Sequence, residues 1–384
     1  MDRWSPLPSD FARRMFGTTL KDDPMTNHFP KDTFSSNTFS GNTFTKDSFL
    51  MSLPKPTTMK AATYSKYGPP IVVGIQEVPV PEIKDHEVLI RIRAASVSSG
   101  DWRARSLNLP KGFGLLGRLI FGITGPRKPI LGTELSGEVI DTGKDVTEFV
   151  VGDQVIAFAD AEFGCHAEYR AFDQNGLITK KPKNLSFEHT AALSFGGTTA
   201  LNFLRDKAKV QQGEKVLIIG ASGSVGSAAV QIGKYLGAEV TGVCSTRNLD
   251  IVRELGADHV IDYTKRDVSQ LDDQYDVILN ANAEINIQQY ERILRPRGRL
   301  VLVLGSFAQA IGLERMSHRA RKQGKRVIGG VATATRHDIE LLAHLASNLQ
   351  FTPVIEHVYP FSEIMCAHAA VESGHKRGNV IVKM

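Results

Sequence analysis

Between Lys215 and Tyr263 the chain alternates strand, glycine turn, helix, strand, helix, strand, and few folds accept that order. Lys215-Val-Leu-Ile-Ile-Gly220 is a short apolar run rich in β-branched residues, as a strand buried on both faces requires. Gly220-Ala-Ser-Gly223-Ser-Val-Gly226 follows at once. Val225, Ala229, Ile232 and Leu236 then share one face of a helix, which Gly237 ends. Glu239 to Cys244 predicts a second strand and Leu249 to Leu255 a second helix. Gly256 stops that helix, and His259 to Asp262 predicts a third strand.

Glycines have three uses in such a turn. One permits the tight bend, one lets backbone approach a pyrophosphate, and one lets the helix pack hard on the strand. The helix start adds free N–H groups and the positive end of its dipole. The turn and the helix start are therefore a candidate pyrophosphate site. The spacing is G-x-x-G-x-x-G, and its weight comes from lying between a buried strand and an amphipathic helix. A glycine turn without a ligand is the competing reading. The end of the second strand selects the dinucleotide, because an acidic residue there binds the ribose 2′-OH of NAD. Here the run is Cys244-Ser-Thr-Arg247, with no carboxylate and one guanidinium placed to pair with a 2′-phosphate. The cofactor expected is NADPH. Arg247 as a solvated surface charge is the alternative.

The chain has 384 residues, room for two ordinary domains. Its net charge is +5 without a dense Lys/Arg run, so nucleic acid is not indicated as a partner. Cys165, Cys244 and Cys366 lie far apart, which fits a reducing compartment and neither a disulfide framework nor a zinc knuckle. No apolar run has the length of a membrane span, so no membrane partner is expected. No apolar core follows the basic residues near the start, as a secretory signal requires. Arg3, Arg13 and Arg14 hint at an organelle presequence, and Asp2, Asp10, Asp22 and Asp23 argue against it, leaving the cytoplasm as the expected location.

Residues 1–58 differ from the rest. They are rich in Ser, Thr, Asn and Phe, and Phe29, Phe34, Phe39, Phe44 and Phe49 recur every five residues. Too few such units are present to stack into a β-helix, so a disordered leader is expected. Met51 and Met59 are both plausible starts. From Met59 the pattern becomes one of short strands: Lys60–Gly68, Val88–Ala94, Leu135–Asp141, Gln154–Ala159 and Ala167–Phe172. Such a series suggests a small barrel-like β domain. Trp102 to Ile130 interrupts it with glycines, aromatics and prolines, and reads as a loop and short helix over a pocket. Ser186 can cap a helix, and Thr198–Leu204 begins another. A strand Tyr275–Asn280, a helix Ile287–Leu294 and a strand Arg299–Gly305 extend the parallel sheet. Val354–Tyr359 and Val380–Lys383 are strand-like, and Phe361–Ser373 is helical.

Together these residues resemble the medium-chain dehydrogenase/reductase superfamily, in its zinc-free quinone-oxidoreductase branch, from about Met59 to Met384. The resemblance is carried by Ala94-Ala-Ser-Val-Ser-Ser-Gly-Asp101, Leu131-Gly-Thr-Glu-Leu-Ser-Gly137, Val151-Gly-Asp-Gln-Val155 and Gly164-Cys-His-Ala-Glu-Tyr169. Gly197-Thr-Thr-Ala200, the glycine turn, Leu255-Gly-Ala-Asp-His-Val-Ile-Asp-Tyr263 and Gly374-His-Lys-Arg-Gly-Asn-Val380 complete it. It implies a doubly wound α/β Rossmann domain over 183–311, enclosed by a GroES-like β-barrel catalytic domain over 59–182 and 312–384, and a homodimer. It implies that Thr199 lies near the nicotinamide, that Ser222, Gly223, Val225 and Gly226 hold the pyrophosphate, that Ser245, Arg247 and Tyr263 face the 2′-phosphate, and that Lys376, Gly378 and Asn379 close over the cofactor. The family often has a lysine shortly after the Ser-Thr pair; here Leu249 or Asp250 falls there, so Arg247 must substitute.

Zinc-dependent relatives place Cys where Ser98 stands and Gly-His-Glu where Gly132-Thr133-Glu134 stands. Hydroxyls with one carboxylate make a poor zinc site, and no metal is expected. Cys165 and His166 read as packing or pocket-rim residues. Without a Lewis acid the electrophile must need little help, which suits quinones and α,β-unsaturated carbonyls. The protein then supplies position, dryness and a hydrogen bond to the developing oxyanion. Ser98 and Thr133 are the catalytic candidates; ordinary strand-end hydroxyls are the equal alternative. Asp101 and Glu134 read as carboxylates that hold backbone N–H groups. Two other functions compete: an NAD(P)-dependent reductase or dehydrogenase of simple carbonyls or alcohols, and a non-catalytic NADPH-binding structural, sensing or RNA-binding protein.

Overall fold

The computed structural model describes residues 56–109, 112, 114–282, 285–303 and 316–384. Most of the expected leader, the strand end at Gly305 and the division at 311/312 lie outside the described residues.

Strands β1 (Thr58–Thr63) and β2 (Gly74–Pro79) form an antiparallel pair. Strands β3 (Glu87–Val97), β4 (Glu134–Thr142), β5 (Gln154–Phe158), β6 (Tyr169–Asp173) and β7 (Ile178–Lys180) build the barrel. Helices α1 (Ser99–Ser106) and α2 (Gly114–Phe121) fill the interval between β3 and β4. Val88, Ile90, Ile92, Leu135, Val139 and Val155 are buried together. Each such side chain contributes about 1.5–3 kcal/mol relative to exposure. β3 runs longer than its alternation suggests and is mostly buried, because β15, β4 and β6 all pair with it.

Helix α3 (Ser194–Leu201) leads into β8 (Lys215–Ile219), α4 (Ser224–Tyr235), β9 (Glu239–Cys244), α5 (Leu249–Glu254) and β10 (His259–Asp262). β11 (Tyr275–Asn280), β12 (Leu294–Leu302) and β13 (Arg326–Ile328) follow. These six strands are all parallel in the order β10-β9-β8-β11-β12-β13. The order reverses between β8 and β11, where open α/β sheets bind ligands beyond the strand ends. Two expectations change. The helix drawn from Ile287 to Leu294 ends at Tyr290, because Ile293 and Leu294 are buried and Leu294 pairs with Tyr275. The helix drawn from Thr198 starts at Ser194, capped by a carboxylate from the barrel.

Helix α6 (Arg336–Ser347), β14 (Ile355–Pro360), α7 (Ile364–Glu372) and β15 (Asn379–Lys383) complete the described chain. β15 lies antiparallel to β3, which returns the chain to the barrel. Just before β15 the Gly378 N–H donates to the Ser222 carbonyl at 2.7 Å. The return therefore crosses the glycine turn of the parallel sheet.

Candidate active site and dinucleotide cradle

The glycine turn bends where Gly220 takes a φ of +81°, a conformation that favours glycine. A Cβ on Gly226 would lie 1.9 Å from the Gly220 carbonyl oxygen, so that glycine sets the close packing of α4. Gly223 differs. Its φ is −78°, and a Cβ there would meet nothing nearer than 3.5 Å. As N-cap of α4 it brings no side chain to the free N–H groups. The protein leaves that space open at the positive end of a helix, which is what a pyrophosphate needs. Ser222, Gly223 and Val225 are half-buried around it.

The end of β9 packs beside this turn. Cys244 is buried, and burial pushes its thiol up to about 11. Asn248, which the sequence reading overlooked, donates from Nδ2 to Ser222 Oγ at 3.0 Å and to Ser245 Oγ at 3.3 Å. It ties the glycine turn to the Ser245–Arg247 run. The signal was an amide at the N-cap position of α5. Arg247 donates from Nη2 to the His375 carbonyl at 2.6 Å, and Tyr263 is 55% exposed. The absence of a carboxylate in the Cys244–Arg247 run needs a correction in space. Asp262 at the end of β10 pairs across the ladder with Cys244 and accepts from Thr246 Oγ1 at 2.6 Å. Thr264 occupies its other oxygen, and these hydrogen bonds hold its carboxyl below the usual range. Beyond the ends of β8 to β11 lies a cavity of about 620 Å³, lined by Ile219, Val243, Tyr263, Asn280, Asn282 and Tyr290.

On the barrel side the two candidate hydroxyls part company. Ser98 is the N-cap of α1. Its Oγ donates to Asp101 Oδ2 at 2.6 Å and accepts from the Asp101 N–H at 3.2 Å. Asp101 Oδ1 accepts from the Gly132 N–H at 2.7 Å. Ser98 is thus engaged in a capping box. Thr133 is buried and its Oγ1 has no hydrogen-bond partner.

Glu134 is fully buried. Its Oε1 accepts from Ser96 Oγ at 2.5 Å, and its Oε2 accepts from the N–H groups of Ser194 and Phe195 at 2.8 Å each. The expected backbone N–H groups are there, but on a helix sixty residues onward. Burial pushes this carboxyl up to about 7, against the lowering effect of those three donors. Cys165 and His166 are fully buried rather than at a rim. Burial pushes the Cys165 thiol up to about 12, and His166 Nε2 lies 2.9 Å from the Ser96 carbonyl.

Thr199 Oγ1 donates to the Phe195 carbonyl at 2.7 Å within its own helix. Lys376 Nζ donates to the Gly378 carbonyl at 2.5 Å, and burial depresses its ammonium to about 8, with Glu356 and Glu134 opposing. Asn379 is buried and inward. Its Oδ1 accepts from Ser224 Oγ at 2.6 Å, and its Nδ2 donates to the Val354 carbonyl at 2.9 Å. It fastens the start of α4 to β15.

Family models match on both sides of this cleft. Residues 84–198 match the alcohol dehydrogenase GroES-like domain, and residues 255–382 match a zinc-binding dehydrogenase model. A 2-methylene-furan-3-one reductase of Solanum lycopersicum is 30% identical over 344 residues, covering 86% of this chain and 80% of that protein. A chloroplastic quinone-oxidoreductase homolog of Spinacia oleracea is 31% identical, covering 85% and 98%. The mitochondrial NAD(P)H oxidoreductase RTN4IP1 of Mus musculus is 31% identical, covering 85% and 90%. Among solved structures, the quinone oxidoreductase from Coxiella burnetii superposes with a TM-score of 0.74 at 29% identity, covering 85% of this chain and 99% of that one.

Proposed function

The chain belongs to the medium-chain dehydrogenase/reductase superfamily, and from that premise we propose that it is a zinc-independent, NADPH-dependent reductase of quinones or α,β-unsaturated carbonyls. The relatives' names, a furanone reductase, quinone-oxidoreductase homologs and NAD(P)H oxidoreductases, support that reaction class. The observation that carries the reading is the open glycine cradle, together with the buried Thr133 hydroxyl, which, unlike that of Ser98, has no hydrogen-bond partner. The donor set beside it suits no zinc ion. Ser98 and both oxygens of Glu134 are engaged within the protein, and a threonine hydroxyl is a weak zinc ligand.

When bound, the dinucleotide supplies the hydride. Everything else falls to the chain. The start of α4 with Ser222, Gly223, Val225 and Gly226 holds the pyrophosphate, and Ser245, Arg247 and Tyr263 face the 2′-phosphate. Thr199 lies near the nicotinamide end, and Lys376, Gly378 and Asn379 close over the cofactor. Hydride arrival at a quinone or enone places negative charge on the substrate oxygen, where the Thr133 hydroxyl donates. A solvent proton completes the reduction.

The test is a panel of quinones, enones, simple ketones and alcohols with NADPH and NADH, run on wild type and Thr133→Val. Losing one oxyanion donor costs about a hundredfold or more in kcat. Turnover restricted to ketones or alcohols, or a Thr133→Val enzyme with full activity, overturns the reading. We also propose the divisions at 182/183 and 311/312, a homodimer and a cytoplasmic location. Sedimentation equilibrium and imaging of the tagged full chain check the last two. The organellar names of two relatives define the rival result.

A further inference from the structure

Helix α2 is packed the opposite way from the rest of the barrel. Gly117 is buried, and a Cβ there would lie 2.0 Å from Leu109 Cδ1. Phe121 packs on the barrel core, its ring 6.3 Å from that of Phe163. Helical spacing puts those two residues on one face and Leu115, Leu116, Leu119 and Ile120 on the other. That second face is in solvent: Leu115 is 76% exposed and Ile120 57%, and Ile123 just beyond the helix is 60% exposed. Five large aliphatic side chains within nine residues make a contiguous apolar patch, of the kind that marks an interaction site.

Along the segment that carries the patch, the charge has one sign. From Trp102 through Thr133 the sequence holds no Asp or Glu and six Lys or Arg. Arg105 is buried against Glu372, and Lys128 is paired with Glu162, so neither is a free surface cation. Arg118 and Arg127 are exposed, and both stand close enough to Tyr67 to oppose the rise that burial gives its hydroxyl. Tyr67 donates to the Gly122 carbonyl at 2.9 Å, and Lys66 is exposed beside it. Arg118 and Arg127 thus stand near the aliphatic face, with Lys66 next in sequence to Tyr67.

We propose that this face docks peripherally on an anionic lipid surface, with α2 lying in the plane of the interface. An exposed aliphatic face bordered by cations is the pattern of interfacial helices, whose apolar side enters the acyl boundary while basic groups meet anionic headgroups. The sequence reading expects no membrane partner because no apolar run is of span length, and no described helix is long and apolar enough to cross. Lying on the surface needs no span. A second copy of the chain fits the patch less well. Around a twofold axis Arg118, Arg127 and Lys66 would face like charges, with no carboxylate in 102–133 to pair them. The proposal is independent of the reaction proposed above.

Co-sedimentation of the full chain with vesicles tests it. Wild type is expected to pellet with phosphatidylcholine–phosphatidylglycerol vesicles and much less with phosphatidylcholine alone. Leu115→Ser combined with Ile120→Ser should lower partitioning about tenfold or more. Arg118→Glu should lower it severalfold on the anionic vesicles only. Leu115→Trp adds a reporter that tolerates the fold, since the position is in solvent, and its emission should shift to the blue on anionic vesicles. The proposal is overturned if wild type stays in the supernatant, if the variants bind as wild type does, or if the Trp emission does not move. It is also overturned if the double variant changes the mass at sedimentation equilibrium, which would make the face an interface between copies.

Discussion

At the scale of single residues, hydrogen bonds within the protein separate the two candidate hydroxyls. Ser98 and Thr133 look alike in sequence, yet only Thr133 keeps an unpartnered hydroxyl, because Asp101 lies three residues after Ser98 and completes a capping box. That local spacing was legible. The engagement of Asn379 with Ser224, 155 residues away, was not, since nothing near either residue announces the other. Zinc is argued at this scale too: with Ser98 engaged and Thr133 a hydroxyl, metal analysis should find far less than one zinc per chain, and chelators should leave activity unchanged. One zinc per chain overturns that. For Arg247, whose guanidinium reaches the His375 carbonyl, replacement by Ala should weaken NADPH binding about tenfold to a hundredfold and leave NADH nearly untouched. Titration of both variants of the cofactor decides it; equal weakening of both removes Arg247 from the 2′-phosphate site.

At the scale of elements, the glycine turn separates packing from binding. Gly226→Ala forces a Cβ to 1.9 Å from the Gly220 carbonyl, so it should lower the melting temperature by several degrees, about 1 kcal/mol or more. Gly223→Ala meets no protein atom nearer than 3.5 Å and keeps an ordinary φ. Its melting temperature should stay at the wild-type value while affinity for NADPH and NADH falls together, because the methyl enters the space left for the pyrophosphate. A Gly223→Ala protein that binds both dinucleotides normally would show that the cradle lies elsewhere. The strands and helices of this unit were legible nearly to the residue, because burial on both faces and glycine stops are local signals. The start of α3 was not, because its cap is Glu134, sixty residues earlier in the chain. The short helix at Ile287 was overdrawn for a related reason: Ile293 and Leu294 suit a helix face and a buried strand equally, and the neighbouring strand Tyr275–Asn280 claims them.

At the scale of the whole molecule, two groups titrate where barrel and parallel sheet meet. Glu134 joins β4 to α3 across that boundary, and Lys376 lies on the return that crosses the glycine turn, near enough to feel the carboxylate. Glu134 has a folded pKa raised to about 7 from an ordinary 4.5. Between those values the folded chain binds more protons than the unfolded one, so its stabilising contribution, full below 4.5, is lost as pH rises through 7. The size is on the order of 3 kcal/mol. Lys376 is depressed to about 8 from 10.5, so between those values the unfolded chain binds more protons, and stability rises with pH across that window. Together they place a minimum between about 7 and 8 in their joint contribution. Glu134→Gln isolates the first part. The amide oxygen still accepts from the Ser194 and Phe195 N–H groups, and the amide nitrogen can donate to Ser96 Oγ, so the clamp between the domains keeps its hydrogen bonds. Urea unfolding of both proteins without cofactor, from pH 4.5 to 8, cancels every group they share. The variant should match wild type at the acid end and exceed it progressively toward pH 7, by up to about 3 kcal/mol less whatever attraction Lys376 loses. Parallel curves for the two proteins would mean that Glu134 stays ionised throughout, held by its three donors, and that the clamp is insensitive to pH.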